Sequence, residues 1–150
     1  MKRIPLVRRK SLINAGIKNS QLIDLAQKNE YFKNRAGDRA FFTPADALLV
    51  FIASELSNVV PFRHTDTVIN DLVKNHRNLH GLLNQNPEQF LIVEKGFSHG
   101  ELFVFPLLVE SLKVWDWQNR QCLVMINLGI IYARIKDLFE KDGIQISTED

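Results

Sequence analysis

Ser11-Leu12-Ile13-Asn14-Ala15-Gly16-Ile17-Lys18-Asn19-Ser20-Gln21-Leu22-Ile23-Asp24-Leu25-Ala26-Gln27-Lys28 is the stretch on which the reading of this chain turns. Ser11 is a candidate helix cap, because a hydroxyl there accepts a bond from an otherwise unpaired backbone amide. A short helix follows over Leu12–Ala15. Gly16 stops it, since a backbone with positive φ costs glycine little. Ile17–Asn19 reads as a turn. Ser20 is a second candidate cap, opening a helix over Gln21–Lys28. Leu22, Leu25 and Ala26 share one face of that helix. Two short helices around a tight, glycine-containing turn form the helix-turn-helix pattern.

On the N-terminal side, residues 1–10 are basic, contain Pro5, and read as an extended arm. On the C-terminal side, residues 31–42 carry apolar ends, Tyr31-Phe32 and Phe41-Phe42, around a polar centre with Asn34 and Gly37. That pattern predicts a small β-hairpin with Lys33, Arg35 and Arg39 in its loop. Thr43-Pro44-Ala45-Asp46 is a strong helix start. Thr43 caps, Pro44 suits the first helical position, and Asp46 favours the positive end of the helix dipole. The helix over Ala45–Ser57 is very apolar and reads as a core element. Pro61 breaks the chain. Thr65 then caps a helix over Asp66–Leu83, with Val68, Ile69, Leu72, Leu79 and Leu82 turned inward.

Beyond Pro87 the pattern changes. Gln89–Lys95 and Glu101–Phe105 read as strands about a turn at Phe97–Gly100. Leu107–Trp117 reads as a third strand, irregular near Pro106. Gln118-Asn119-Arg120 is a turn, Gln121–Asn127 a further strand, and Leu128–Lys141 a helix ended by Gly143. The expected fold class is α+β. A winged helix-turn-helix unit over residues 1–84 precedes a small antiparallel β meander and a C-terminal helix over residues 85–150. The second part is a candidate for dimerisation or for binding an effector or partner.

The chain has 150 residues, 45% of them hydrophobic and 24% charged, an ordinary globular balance. Its longest apolar runs are too short to span a bilayer, and no apolar signal-peptide core follows the basic N-terminus. A cytoplasmic location is therefore expected. The single cysteine, Cys122, excludes an internal disulfide and any cysteine-based metal cluster. Charge is unevenly distributed. Residues 1–40 hold ten cations and three anions, a local +7, while residues 41–150 carry −5. Such asymmetry reads either as a face for a polyanion or as a solvated basic surface.

The order helix, turn, helix, basic hairpin, capped apolar helix resembles the MerR-like winged helix-turn-helix family over about half the chain. In that family a glycine-bearing wing leads to an arginine, an aromatic and a Ser/Thr helix cap, with an acid shortly after. Gly37, Arg39, Phe41 or Phe42, Thr43 and Asp46 match that order. Leu22-Ile23-Asp24 stands where the family commonly has an Arg-Tyr-Tyr or Arg-Tyr-Trp centre. The family's long C-terminal coiled-coil helix is also absent, so metal or drug sensing is not carried over. The resemblance implies a sequence-specific transcriptional regulator that binds double-stranded DNA as a homodimer.

In such a motif the second helix enters the major groove by its N-terminal part. Lys18, Asn19, Ser20 and Gln21 occupy that part here. Gln21 suits bidentate reading of adenine, or else simple exposure to solvent. Asn19 and Ser20 reach bases or phosphates, or merely cap. Arg8, Arg9 and Lys10 flank the first helix, and Lys33, Arg35 and Arg39 would hold the phosphate backbone or enter the minor groove. Leu128, Ile131, Ile135 and Leu138 form a stripe that would either dimerise or cover the sheet within one chain.

The remaining polar residues form no catalytic or cofactor pattern, and no cofactor is expected. His76 and His80, four apart on one expected helix, could share a metal, but no third ligand is evident and surface histidines are the better reading. His99 reads as a turn residue and Cys122 as a small buried hydrophobe. Trp115 and Trp117, two apart on a strand, would share one side, for packing or as a platform for a ligand of unknown kind. There is no phosphate loop, dinucleotide fingerprint or nucleophile elbow. A protein–protein module that reuses the winged fold without reading DNA is the alternative to a regulator, and an enzyme ranks last.

Overall fold

A computed structural model describes residues 4–33, 35, 37, 39–96, 101–116 and 121–146. Strand β1 (Val7–Arg8) leads into helix α1 (Arg9–Asn14), and helix α2 (Asn19–Lys28) follows. Between them Gly16 takes φ of +105°, as expected of a glycine stop. Both helices begin earlier than their serines suggest. Arg8 and Lys18 occupy the cap positions, and neither side chain caps. Ser11 and Ser20 lie inside the first turns. Ser11 instead donates a 2.6 Å hydrogen bond to Asp142 Oδ2, 131 residues away.

The expected β-hairpin over residues 31–42 does not form. Strand β2 (Phe41–Phe42) pairs antiparallel with β1, Val7 opposite Phe42 and Arg8 opposite Phe41. Tyr31–Lys33 is a turn. The physical reason lies in Asn29, which is buried and whose Oδ1 accepts the backbone N–H groups of Tyr31 and Phe32. Those amides are therefore not available to a strand ladder. Asn34, Ala36 and Asp38 lie outside the described residues.

Helix α3 (Pro44–Ser57) starts as its sequence dictates. The Asp46 N–H donates to Thr43 Oγ1 at 3.1 Å, and the Thr43 N–H donates to Asp46 Oδ2 at 3.0 Å. This reciprocal cap is worth about 1 kcal/mol. Ten of its fourteen residues are buried, so α3 is the central core helix. The single expected helix over Asp66–Leu83 is two, α4 (Phe62–Asn75) and α5 (Leu79–Gln85). Pro61, not Thr65, holds the cap position of α4, and Thr65 is buried within it. Because the break falls at His76, the helical phase shifts. Leu83 is then fully buried while Leu82 is left exposed.

The second sheet comprises β3 (Gln89–Lys95), β4 (Leu102–Leu108) and β5 (Cys122–Asn127), in the order β4-β3-β5. The chain does not meander, because after β4 it returns to the other side of β3. Residues Val109–Val114, expected in a third strand, form a 3₁₀ helix that begins the return. Trp115 follows it against Phe105, with ring centroids 5.5 Å apart. Trp117, His99 and the expected turns at 97–100 and 118–120 lie outside the described residues. Helix α6 (Leu128–Lys141) has the expected bounds, and the Ile130 N–H donates to Asn127 Oδ1 at its start.

The architecture is α+β with two small antiparallel sheets. One hydrophobic core draws on both halves of the chain, from Val7 and Leu12 through α3 and α4 to Leu91, Ile135 and Phe139. Leu128, Ile131, Ile135 and Leu138 are all buried in it, so the stripe on α6 covers its own chain. Among the described residues, no helix is long and apolar enough to cross a membrane.

Candidate nucleic-acid interface

The candidate N-terminal contact residues divide into those that face solvent and those that the fold engages. Gln21 is one of the latter. Its Nε2 donates to Ser57 Oγ at 2.6 Å, and its Oε1 accepts from Ser54 Oγ at 3.0 Å. That oxygen also lies 3.4 Å from the Lys18 N–H. Both ends of the amide thus bind α2 to the C-terminal end of α3. A bidentate contact with adenine would require breaking these bonds.

Arg35 is likewise engaged within the fold, though partly exposed. Its Nη1 lies 2.9 Å from Asp46 Oδ2, with the carboxylate only 5% exposed. The guanidinium stacks over Tyr31 at 5.0 Å and Phe32 at 5.7 Å from the ring centroids. Asp46 also accepts the Tyr31 hydroxyl. One carboxylate therefore caps α3, holds a phenol and holds a cation. Burial, and then the bond to Asp46, raise the Tyr31 pKa above the ordinary phenol range. Arg35 therefore braces the start of α3 through Asp46.

The other candidates lie closer to solvent. Lys18, Asn19 and Ser20 are all exposed at the start of α2, where the first amides and the helix dipole favour an anion. Arg8 is exposed, with its guanidinium 5.2 Å from the centroid of the exposed Phe41 ring. Lys10, Lys33 and Arg39 are exposed, and Arg9 is partly buried. Among the described residues, no ion pair engages Arg8, Lys10, Lys18, Lys33 or Arg39.

Two of these cations lie near opposite ends of α3, Lys18 at the C-terminal end and Arg8 at the N-terminal end. Gln21 fastens the start of α2 to Ser54 and Ser57 at the C-terminal end. The Asp46 cluster and the β1–β2 pair fasten Arg35 and Arg8 to the N-terminal end. Asp46 and Ser57 are eleven residues apart on α3, a rise of about 16 Å.

No protein-family model and no curated protein matches the chain. Geometry and chemistry carry the functional reading.

Other parts of the molecule offer less chemistry. His76 follows the end of α4, and His80 lies in α5. His76 Nε2 lies 2.9 Å from the Val104 carbonyl oxygen, whereas His80 is buried near the Tyr132 ring. Among the described residues, no cluster of three His, Cys, Asp or Glu side chains could hold a metal. Burial, and then the nearby Glu94, raise the Cys122 pKa and disfavour its thiolate. A 640 Å³ cleft lies between the α1–α2 turn and α6. Its walls bear both signs, including Glu55, Arg134, Asp137 and Lys141. Sequence reasoning missed Asn29 and underrated Asp46. Thr-Pro-Ala-Asp announces a cap, but nothing local announces that the same carboxylate serves Arg35 and Tyr31.

Proposed function

We propose that this protein binds double-stranded DNA through its N-terminal quarter, as a regulator of the winged helix-turn-helix, MerR-like kind. The observation that carries the reading is the set of exposed cations Arg8, Lys10, Lys18, Lys33 and Arg39, which no ion pair among the described residues engages. Lys18, Asn19 and Ser20 at the start of α2 approach the major groove. Arg8, Lys10, Lys33 and Arg39, with the β1–β2 pair as the wing, contact phosphates. Contact is weighted to the backbone, because Gln21 is tied down and Asn19 is the principal base-reading side chain left.

A salt titration of binding to random duplex DNA tests this, comparing wild type with Lys18→Ala/Arg39→Ala and Gln21→Ala. The double variant is expected to flatten the salt slope by about two, one for each phosphate that is no longer neutralised. Gln21→Ala should weaken packing and leave that slope as it is. Wild-type protein that fails to bind at low salt overturns the reading. The engagement of Gln21 and Arg35 within the fold favours a second reading, a protein–protein module that uses the same scaffold without DNA. Absence of binding would bring that reading forward.

A further inference from the structure

Helix α4 ends at His76, whose φ of −132° lies outside the helical range, and α5 starts afresh at Leu79. Between α3, the end of α4 and the start of α5 lies a hollow of 460 Å³, within the size range of small-molecule sites. Its floor is apolar. Leu48 and Leu49 of α3, Leu72 of α4 and Leu79 of α5 line it, and all four are buried. No acidic side chain among the described residues lines it.

Two of the polar side chains that line the hollow are committed within the fold. The Tyr31 hydroxyl donates to Asp46, and His76 Nε2 lies 2.9 Å from the Val104 carbonyl oxygen. Arg77 differs from them. It is exposed, and its Nε donates to the Val73 carbonyl oxygen at 3.0 Å, which holds the guanidinium against the last turn of α4. Among the described residues no ion pair engages it. The hollow therefore has an apolar floor and one positioned cation whose charge no acid in the fold balances. That combination is complementary to a molecule with a hydrocarbon body and a single anionic head.

We propose that this hollow binds a small monocarboxylate with an apolar body. The body lies against Leu48, Leu72 and Leu79, and the carboxylate accepts two parallel N–H bonds from the Arg77 guanidinium. The planar fork of arginine matches a carboxylate in geometry as well as charge. This stands apart from the DNA reading, since its test contains no nucleic acid.

The experiment is a calorimetric titration of the full chain with octanoate and with 1-octanol, which share a hydrocarbon chain and differ in the head. Both are kept below the concentration at which they self-associate. Wild type is compared with Arg77→Gln and with Arg63→Gln, an exposed residue of α4 that does not line the hollow. Arg77→Gln is expected to weaken octanoate about tenfold and 1-octanol less than about twofold, because only the charge-assisted bonds are lost. Arg63→Gln should change neither. Methyl NMR of wild type needs no variant to fold, and octanoate should shift Leu48, Leu72, Val73 and Leu79. A wild type that does not bind octanoate overturns the proposal. So does an Arg77→Gln protein that keeps the wild-type affinity for octanoate, or one that loses both probes alike, since Arg77 would then shape the hollow without holding a head. Methyl shifts confined to Leu123 and Met125 of β5 would overturn it as well.

Discussion

Around Asp46 and Asn29, buried polar groups are densely paired. Asp46 serves a backbone amide, a phenol and a guanidinium. Asn29 bonds two backbone amides as well as Asp66 and Asn70. The C-terminal sheet shows the converse. On its inner face Leu91 is 0% and Val93 2% exposed, while Phe103, Leu123 and Met125 on the other face stand at 43–47%. Polar residues in the first region hold the fold together, and apolar residues in the second are left outside it. Residue type alone therefore misassigns both: Gln21 and Arg35 look like ligand contacts and act as braces, and Met125 looks like core and faces solvent.

The largest test of this contrast is Asp46→Ala. The cap, the phenol and the half-exposed guanidinium should each cost about 1 kcal/mol, so chemical denaturation is expected to show a loss of about 3 kcal/mol. A loss below about 1 kcal/mol would mean that the cluster does not organise the N-terminal region. A paired measurement on the sheet comes next. Leu91→Ala on the inner face should cost about 3 kcal/mol, and Phe103→Ala on the outer face less than about 1. Equal losses would show that the two faces are not in different environments.

The smallest effect is on Tyr31. Burial and Asp46 favour its neutral form in the folded chain, so its folded pKa lies above the unfolded value of about 10. The resulting stability is fully present below the unfolded pKa. It is lost as pH rises through the folded one. An absorbance titration of tyrosinate, taken as the difference between wild type and Tyr31→Phe, isolates the group. The second tyrosine, Tyr132, is raised by burial as well, which is why the difference is needed. A Tyr31 that titrates at the ordinary phenol value would remove it from the cluster.

Much of the local structure is legible in the sequence. The start of α3, the glycine stop at Gly16, β3 and the whole of α6 follow from short-range signals. These are a capping pair, a positive φ, and periodicity over ten or more residues. The strand partners are not legible in this way. Phe41–Phe42 looks like half of a hairpin, yet its partner is Val7–Arg8, because Asn29 holds the amides of Tyr31 and Phe32. The run after Pro106 has strand-like residues, but it must turn back for β5 to reach the far side of β3. At the candidate interface, composition located the basic segment and the exposed Lys18, Asn19 and Ser20. It did not separate them from Gln21 and Arg35, because a side chain's availability depends on what packs beside it.

The sequence by itself determined the helical character of α2, α3 and α6 and the extended course of β3, where α3 is capped, and that the first forty residues carry the excess positive charge. Those properties depend on neighbours a few residues away and on a simple sum of charges. Tertiary structure alone decided that Arg35 belongs to Asp46 and that Gln21 belongs to Ser54 and Ser57. Each of these depends on groups far apart in the chain, and their meeting is set by how the common core closes.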